Sequence, residues 1–256
     1  MKQRVLITAG ADGIGLAMAK CFLKKNATVW VTDINQEALN ALPDRIQGSC
    51  INVCDDEGMR NLFNTIMQSW GGLDVLCSNA GIAGPTAAID EISLNDWRNC
   101  VSVNLDGTFI ATKYAAKIFK DQRHGIINIT SSTAGQYGYP NRSPYSSAKW
   151  GVIGLMKTLS MELGSYGIRV NAICPGAVEG DRMEGVLARE SKVTGLSRNQ
   201  IYKGYSAGTS MQTWVEGNDI AEMAVFLASK EARYVSGQII AVDGGTFNPN
   251  PQVNYF

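Results

Sequence analysis

A tyrosine and a lysine on one helical face are the residues of this chain best suited to chemistry. Tyr145 and Lys149 are four positions apart, and Ser132 lies thirteen positions before the tyrosine. Residues i and i+4 share one face of an α-helix, so the phenol and the ammonium can point into the same space. A neighbouring cation lowers the pKa of a phenol, which can then exchange a proton with an alcohol or carbonyl oxygen. Taken alone, however, the pair is better explained as part of an ordinary amphipathic helix.

A glycine-rich segment near the N-terminus supplies the context that the pair lacks. The apolar run at residues 4–8 predicts a buried strand, Gly10, Gly13 and Gly15 follow at once, and a helical pattern comes next. This order is typical of a dinucleotide-binding turn. Its glycines let the backbone approach a pyrophosphate, and its helix N-terminus supplies N–H donors.

An acidic residue follows the second predicted strand, residues 28–32. Asp33 comes eighteen positions after Gly15, where a carboxylate would accept hydrogen bonds from the ribose hydroxyls of NAD and repel the 2′-phosphate of NADP. No arginine or lysine follows directly, in residues 34–36. The alternative is that Asp33 caps the next helix. We favour a role in NAD binding, because strand, glycines and acid occur in this order.

Length and composition exclude several classes of function. The 256 residues contain 23 basic and 23 acidic side chains and no basic cluster, so no nucleic-acid partner is expected. No apolar run is long enough to span a bilayer, so no membrane association is expected. The sequence opens with a strand-like segment rather than a signal peptide, which favours a cytoplasmic location.

The cysteines and the single histidine indicate neither a metal site nor a hydrolase. The spacing of the six cysteines fits neither a zinc site nor a disulfide framework, so we expect buried, reduced thiols and no bound metal. They are Cys21, Cys50, Cys54, Cys77, Cys100 and Cys174. His124 lies in a turn after a predicted helix, where a cationic side chain suits the helix dipole, so a Ser-His-Asp hydrolase is disfavoured.

Strand-like and helix-like segments alternate along almost the whole chain. Strands are predicted near residues 4–8, 28–32, 48–53, 73–78, 125–130, 168–174 and 237–242. Helices are predicted near residues 14–25, 35–41, 56–69, 94–121, 144–165 and 217–229. This alternation predicts an α/β fold of the Rossmann type, with a doubly wound parallel sheet in a single domain over residues 1–256.

One segment, residues 178–213, interrupts the alternation. It is polar and contains glycine, and only short helical stretches are expected in it. It follows the sixth predicted strand, at the edge where open α/β sheets bind ligands, so we interpret it as a substrate lid rather than a surface helix pair. Its positive and negative charges nearly balance, so it does not predict a strongly anionic substrate.

Over essentially its whole length the chain resembles the short-chain dehydrogenase/reductase (SDR) family. The matching motifs are the turn from Thr8 to Gly15, Asn79-Ala80-Gly81, Asn104, Ser132, Tyr145 with Lys149, Arg169-Val170-Asn171, Pro175-Gly176, and Val242-Asp243-Gly244-Gly245. The chain departs from the family pattern at four positions. Ala9, Asn52, Ser78 and Gly180 stand where the family usually has Gly, Asp, Asn and Thr.

The resemblance implies a role for each matching residue. Tyr145 would transfer the proton, Lys149 would lower the pKa of that tyrosine and bind the nicotinamide ribose, and Ser132 would hold the substrate oxygen. Asn104 would hold a water that links Lys149 to solvent. The residues expected to bind NAD are Gly10, Asp12, Gly13, Ile14, Asp33, Asn52, Val53, Asn79, Ala80, Gly81, Tyr145, Lys149, Pro175, Gly176 and Val178.

The expected reaction is an NAD-dependent interconversion of a secondary alcohol and a ketone, or of a hemiacetal and a lactone. Ser132, Gln136, Arg142, Tyr145 and Arg182 are expected to bind the substrate. The amide and guanidinium groups among them suit a polar hydroxylated small molecule such as a sugar, polyol or sugar acid. Arg142 could equally be a solvated surface charge.

Two alternative functions stay open at this point. A 3-oxoacyl-type carbonyl reductase would usually prefer NADPH, and Asp33 argues against it. An NAD-binding scaffold or sensor on a retired dehydrogenase fold would have lost catalytic residues, whereas Ser132, Tyr145 and Lys149 are all present.

The resemblance also implies a homotetramer. In such an assembly the predicted helices 94–121 and 144–165 would pack against their symmetry mates. The aromatic tail, from Phe247 to Phe256, would dock on a neighbouring subunit.

Overall fold

The computed structural model describes residues 2–249, in which seven parallel strands form one sheet. The strands are β1 (Arg4–Thr8), β2 (Thr28–Asp33), β3 (Ile46–Cys50), β4 (Val75–Ser78), β5 (Gly125–Thr130), β6 (Ile168–Pro175) and β7 (Ile239–Val242). Their order across the sheet is β3-β2-β1-β4-β5-β6-β7. The predicted doubly wound parallel sheet is confirmed. Its order reverses between β1 and β4, and open α/β sheets bind ligands outside the carboxyl ends of the strands at such a point.

Helices cover both faces of the sheet. Within residues 2–249 they are α1 (Gly13–Lys24), α2 (Gln36–Asn40), α3 (Asp56–Trp70), α4 (Leu94–Val101), α5 (Gly107–Gln122), α6 (Ser143–Gly164), α7 (Asp181–Thr194), α8 (Arg198–Ala207) and α9 (Gly217–Ala228). Helices α1 and α9 cover one face. Helices α3, α5 and α6 cover the other face.

Alternate residues of β1 enter two different hydrophobic cores. Val5 and Ile7 pack in the core that contains Phe22 of α1, whereas Leu6 packs in the core that contains Phe63 of α3. Successive side chains of a strand point to opposite faces of the sheet. A strand that is buried on both faces therefore needs an uninterrupted apolar run, which is what the sequence shows at this position.

The long helix predicted at residues 94–121 is interrupted. Between α4 and α5 the backbone forms a π-helical turn, Ser102–Asp106. Asn104 lies in this turn, and its side-chain Nδ2 donates hydrogen bonds to the carbonyl oxygens of Cys100 at 2.8 Å and Ile82 at 3.0 Å. The backbone is helical from Leu94 to Gln122, as predicted, but the π turn at Asn104 replaces the regular α-helical hydrogen bonding there. Single π turns of this kind are frequent at functional sites.

The segment 178–213 is more regular than expected. It contains α7 and α8, with lengths of 14 and 10 residues, rather than short helical stretches. Gly195, with a φ of 73°, ends α7. Ser197 and Gln200 form a capping box that begins α8. A β-bridge between Val178 and Val215 joins the two ends of this segment.

The cysteines are free thiols, but two of them are not buried as expected. Cys50 is exposed and Cys54 is half-buried, whereas the other four are buried. Cys50 is the last residue of β3, and β3 is an edge strand of the sheet. The apolar sequence context did not reveal this edge position.

No helix within residues 2–249 is long and apolar enough to cross a membrane. The aromatic tail considered for subunit docking is described only in part. Phe247 is exposed. Tyr255 and Phe256 lie outside the described residues.

Candidate active site

A cavity of about 460 Å³ opens at the carboxyl edge of the sheet. Because all the strands are parallel, their carboxyl ends meet at this edge, and residues far apart in the sequence come together there. The predicted site residues that line the cavity are Asp12, Gly13, Ile14, Asp33, Asn79, Gly81, Ser132, Arg142, Tyr145, Pro175, Gly176, Val178 and Arg182.

Helix α6 places Tyr145 and Lys149 beside one another. The Lys149 side chain is 2% exposed, and its Nζ donates a 2.9 Å hydrogen bond to the carbonyl oxygen of Thr130 at the end of β5. The same Nζ lies 5.8 Å from the centre of the Tyr145 ring. Burial lowers the pKa of Lys149, and the nearby phenol acts in the opposite direction. The two side chains therefore share one face of the helix, as their spacing predicts.

The environment of Tyr145 favours the phenolate. Burial opposes ionisation, but the positive charges of Arg182 and Lys149, a hydrogen bond with Ser132 and the charge of Arg142 together lower the pKa of Tyr145 to about 8. Nη2 of Arg182 lies 3.4 Å from the phenol oxygen. Cζ of Arg142 lies 5.0 Å from the ring centre. The sequence analysis attributed the lowered pKa to Lys149 alone, so the effect of the two arginines was missed.

Ser132 follows β5 in an extended conformation and begins the short 3₁₀ turn Thr133–Gly135. Its Oγ accepts a hydrogen bond of 3.1 Å from the amide of Ala134. The same hydroxyl also helps to lower the pKa of Tyr145. The hydroxyl thus helps to start the turn and also faces the reactive centre.

Asn104 presents a free oxygen behind the cavity wall. Its side chain is fully buried, and its Oδ1 has no hydrogen-bond partner among residues 2–249. A Cβ atom at Gly81 would lie 2.5 Å from this oxygen and 3.3 Å from Nζ of Lys149. A side chain at position 81 would therefore collide with Asn104, so only glycine lets Asn104 and Lys149 pack this closely behind the wall.

The turn after β1 fits a pyrophosphate. Gly13 begins α1 with a φ of +51°, and no atom lies within 4 Å of the position that a Cβ would occupy. Oδ1 of Asp12 accepts a hydrogen bond of 2.7 Å from the amide of Gly13. Backbone N–H groups at a helix N-terminus attract anions, and the missing side chain leaves room for one. Gly10 does not line the cavity: a Cβ there would lie 2.6 Å from Val31, so this glycine serves packing.

Asp33 ends β2 at the opposite end of the cavity from Tyr145. Its Oδ2 accepts from the amide of Ala11 at 3.2 Å, and its Oδ1 accepts from the amide of Asn35 at 3.1 Å. The N-cap of α2 is Asn35, so Asp33 does not cap this helix. Within residues 2–249 the carboxylate forms no ion pair. Its negative charge is therefore available to ribose hydroxyls.

Asn79 ties three strand ends together in addition to lining the cavity. Its backbone amide donates to Oγ1 of Thr8 at 3.0 Å, and its Nδ2 donates to the carbonyl oxygen of Ala9 at 3.1 Å. Its Oδ1 accepts from Oγ1 of Thr130 at 3.1 Å. The amide of Ala80 shares the Thr8 hydroxyl at 3.0 Å. This network fixes the carboxyl ends of β1, β4 and β5 relative to one another.

Some predicted site residues lie outside the cavity lining, namely Gly10, Asn52, Val53, Ala80, Asn104, Gln136 and Lys149. Asn104 and Lys149 lie next to Gly81, behind the wall. Oδ1 of Asn52, which was expected to face the adenine, accepts a hydrogen bond of 3.0 Å from the amide of Cys54. Gln136, predicted to bind the substrate, ends the 3₁₀ turn after Ser132, and its Oε1 is buried.

Comparison with known proteins agrees with this geometry. Residues 8–246 match the family model described as "Enoyl-(Acyl carrier protein) reductase". The chain is 35% identical over 247 residues to the 3-oxoacyl-[acyl-carrier-protein] reductase FabG of Thermotoga maritima, with 94% of this chain and 96% of that protein covered. This protein belongs to the short-chain dehydrogenase/reductase family. SDR relatives also include the mitochondrial borneol dehydrogenase of Lavandula x intermedia, at 35% identity over 256 residues and with 98% and 93% covered.

Solved SDR structures superimpose closely but differ in their cofactor. A xylitol dehydrogenase bound to NAD⁺ has a TM-score of 0.91 at 26% identity, with 95% of this chain and 98% of that chain covered. ElxO, bound to NADP, has a TM-score of 0.84 at 31% identity, with the same coverage of 95% and 98%. The SDR fold makes this protein an oxidoreductase that acts on CH–OH or carbonyl groups. The choice between NAD and NADP depends on local residues.

Two departures from the SDR pattern have visible structural consequences. Ala9 replaces a glycine and has a φ of +50°, a left-handed conformation that an alanine adopts only with strain. Gly180, which replaces a threonine, has a φ of +134° and precedes α7. Because Gly180 lines the cavity without a side chain, this position lacks the hydroxyl that the usual threonine would supply.

A polar cluster under the lid was missed by the sequence analysis. Oε1 of Glu190 in α7 accepts a 2.6 Å hydrogen bond from the hydroxyl of Tyr205 in α8. The same oxygen lies 3.7 Å from Nη1 of Arg142. Arg142 is only 6% exposed, so the alternative that it is a solvated surface charge was wrong. These residues are distant in the sequence, and no local motif links them.

Proposed function

We propose that this SDR is an NAD-dependent dehydrogenase for a small polar hydroxylated substrate such as a sugar, polyol or sugar acid. It would interconvert a secondary alcohol and a ketone, or a hemiacetal and a lactone. The observation that carries the proposal is the shared cavity, which has Tyr145 at one end and the carboxylate of Asp33, without an ion pair among residues 2–249, at the other.

Tyr145 performs the proton transfer in this proposal. It takes the proton from the alcohol during oxidation and returns a proton to the carbonyl oxygen during reduction. With a pKa of about 8, both protonation states of the phenol are populated near neutral pH, which suits a residue that works in both directions. Ser132, which lines the same cavity, would hold the substrate oxygen. The bound nicotinamide would accept or supply the hydride.

Lys149 and Asn104 support this proton transfer from behind the cavity wall. The ammonium of Lys149 lowers the pKa of Tyr145, and in this proposal it would also bond the ribose hydroxyls. In this proposal a water bridges Lys149 and the Oδ1 of Asn104, which has no hydrogen-bond partner among residues 2–249. Such a bridge would carry protons between the phenol and solvent.

Asp33 supports the choice of NAD. Its carboxylate would accept hydrogen bonds from both ribose hydroxyls, whereas a 2′-phosphate at the same place would be repelled. Ile34, the next residue, is 72% exposed and offers no positive charge. NADP binding would need a cation that residues 34–36 lack.

A 3-oxoacyl-type carbonyl reductase is the second candidate. It is favoured by the 35% identity to FabG and by the description of the matching family model. Asp33 counts against it, because such reductases usually prefer NADPH. A scaffold or sensor that merely binds NAD is the third candidate, and the presence of Asn104, Ser132, Tyr145 and Lys149 counts against it.

The test is a turnover assay on the purified protein. NAD⁺ is offered with a panel of polyols, aldoses, sugar acids and hydroxy acids, with NADP⁺ in parallel, and the absorbance of the reduced nicotinamide is followed. We expect turnover on one substrate class with NAD⁺. Faster reduction of an acetoacetyl thioester with NADPH would favour the carbonyl reductase. Cofactor binding without turnover in either direction would favour the scaffold.

We also propose a homotetramer, in which α5 and α6 pack against their symmetry mates. The large apolar side chains of Phe109 on α5 and Trp150 on α6 are exposed in the single chain, which supports this arrangement. Light scattering on the purified protein should give four times the chain mass. A monomeric mass would contradict the proposal.

A further inference from the structure

Two arginines from distant parts of the chain flank the phenol of Tyr145. Nη2 of Arg182 lies 3.4 Å from the phenol oxygen, and Cζ of Arg142 lies 5.0 Å from the ring centre. We propose that Arg142 and Arg182 form a subsite for an anionic group of the substrate, such as a carboxylate or a sulfonate, close to the reacting carbon. This inference rests on the proposed function, because it assumes that the substrate oxygen contacts Tyr145.

Arg142 is a buried cation whose hydrogen bonds are only partly satisfied. Its Nη2 donates to the carbonyl oxygen of Ala83 at 3.0 Å, and its Nη1 is 3.7 Å from Glu190, beyond hydrogen-bond distance. Its Nε has no partner among residues 2–249. A buried charge that is incompletely paired is costly. Because Arg142 lines the cavity, an anion bound there would offset this cost.

Arg182 sets the position of the anionic group relative to the reaction. This arginine lies in the first turn of α7, lines the cavity and forms no ion pair within the described residues. Its guanidinium reaches the phenol oxygen of Tyr145, which is also where the substrate oxygen must bind. A substrate group that contacts both Arg182 and Arg142 must therefore lie within a few bonds of the reacting carbon.

The acidic residues of the lid leave most of this positive charge uncompensated. Glu184 pairs with Arg198 on the lid surface. Glu179 accepts a 2.5 Å hydrogen bond from the hydroxyl of Tyr202. Asp181 also lines the cavity but is exposed at the start of α7. The nearly even charge count along residues 178–213 therefore does not describe the charge beside Tyr145.

Glu190 is the carboxylate closest to the proposed subsite, and it faces more than one cation. Burial raises the pKa of Glu190, while a hydrogen bond from Tyr205 and the charges of Arg142 and Arg189 act in the opposite direction. Arg189 lies near Arg142 and Arg182. Burial and the positive charges of these two arginines lower the pKa of Arg189. Glu190 thus faces both Arg142 and Arg189, so its single negative charge cannot neutralise both guanidinium groups.

A competing explanation is that the arginines act only on the phenol. In that case, removing the arginines would change the turnover of charged and neutral substrates equally. The protein would bind no anion, whether or not the arginines were present. An anion subsite instead predicts that the effect depends on the charge of the ligand. Binding measurements can separate the two explanations without any catalytic step.

The first experiment measures anion binding by calorimetry to the protein saturated with NADH. The probes are oxamate, malonate, methanesulfonate and inorganic phosphate, with oxamide, malonamide and methanesulfonamide as neutral counterparts. We expect at least one carboxylate or sulfonate to bind about tenfold or more tightly than its amide, in line with the strength of charge-assisted hydrogen bonds. Preferential binding of phosphate would identify a phosphorylated substrate instead. Equal binding of anions and amides would overturn the proposal.

Variants test which residues hold the anion. Arg142→Gln and Arg182→Gln should each weaken binding of the preferred anion by about tenfold or more, with little effect on its amide. Arg182→Lys keeps the charge and should retain part of the affinity. Arg198→Gln, the same change in the ion pair with Glu184, is the control and should leave anion binding unchanged. Unchanged binding in both Gln variants of the proposed ligands would contradict the assignment.

The turnover assay separates failure of this inference from failure of the proposed function. With NAD⁺, small hydroxy acids should have a kcat/KM about tenfold or more above that of their neutral amides, mainly through KM. Equal turnover of acids and amides would contradict the anion subsite but support the proposed dehydrogenase function. If anion binding depended on the arginines but no substrate were turned over, the anion subsite would be supported and the proposed dehydrogenase function would be contradicted.

Discussion

The cavity has a proposed cofactor half around Gly13 and Asp33 and a proposed substrate half around Tyr145, and different kinds of contact build the two halves. In the cofactor half, backbone amides and short local contacts dominate, as where Asp12 caps Gly13 and Asp33 accepts from Ala11. In the substrate half, long side chains converge from separate segments, as where Arg182 reaches Tyr145. A cofactor site built from backbone amides depends mainly on the order of strand, glycines and acid in the sequence. A charged pocket depends on distances that no local pattern specifies. Substitutions in the two halves should therefore have separable effects.

The largest effect is expected from Tyr145→Phe. Loss of the phenol hydroxyl should lower kcat by about 10²- to 10⁴-fold, because proton transfer loses its acid and base. NADH affinity should change little, since the cofactor half is untouched. Steady-state kinetics and an NADH fluorescence titration measure the two effects. Tyr166→Phe, at a tyrosine that packs against Lys120 and Arg123 outside the cavity, is the control. Near-normal turnover of Tyr145→Phe would contradict the assigned role.

The next largest effect should be confined to the cofactor half. Asp33→Ala combined with Ile34→Arg removes a repulsive carboxylate and adds a cation, so the ratio of kcat/KM for NADP⁺ to that for NAD⁺ should rise by about 100-fold. The KM for the alcohol substrate should stay nearly constant. Glu37→Ala, at an acid of α2 outside the cavity lining, should leave the ratio unchanged. An unchanged ratio in the double variant would refute the role of Asp33 in NAD selection.

A smaller effect, on pH dependence, should mark the substrate half. The phenol of Tyr145 faces the cations Arg182, Lys149 and Arg142 and the hydroxyl of Ser132, and its pKa is about 8. Oxidation needs the phenolate, so its rate should rise as pH increases through this value. Arg182→Gln removes a positive charge, which should raise the pKa of Tyr145 and move the profile of kcat for oxidation to higher pH.

The control for this pH effect is Arg198→Gln, at a residue that forms a surface ion pair on α8. Its profile should match that of the unmodified protein. A profile that does not move in Arg182→Gln would show that this arginine does not influence the phenol. A parallel shift in both variants would point to a general effect of lid charge.

The smallest effect concerns backbone strain in the cofactor half. Ala9 has a φ of +50°, and a left-handed conformation costs a non-glycine residue about 1–2 kcal/mol. Ala9→Gly removes this strain but adds a chain-entropy cost of about 0.5–1 kcal/mol. The free energy of unfolding should therefore increase by up to about 1 kcal/mol, measured by chemical denaturation. Ala17→Gly, inside α1, should lower it by about 1 kcal/mol. Destabilisation by Ala9→Gly would contradict this account.

The fold was largely predictable because its signals are local. Residues 4–8 alternate between two cores and so form an apolar run that can be recognised without the structure. Two features that were not predicted depend on the folded structure. The π turn at Asn104, whose side chain donates to Cys100 and Ile82, leaves no pattern in the sequence. The exposure of Cys50 follows from the position of β3 at the sheet edge.

The candidate site divides in the same way. Tyr145 and Lys149 were predicted to share a helical face, because four positions correspond to about one helical turn. Asp33 was recognised from its distance after the glycines. The burial of Arg142, in contrast, depends on the lid segment that contains Glu190, which is far from it in the sequence.

By itself, the sequence determined the alternation of strands and helices in a doubly wound parallel sheet, the helical face shared by Tyr145 and Lys149, and the position of Asp33 at the end of the second strand. These features depend on the periodicity of helices and strands and on short spacings between neighbouring residues. Only the tertiary structure decided the charge that surrounds the phenol of Tyr145, including the contribution of Arg182. Electrostatic interactions depend on distance and burial, and both are set where separate segments of the chain meet.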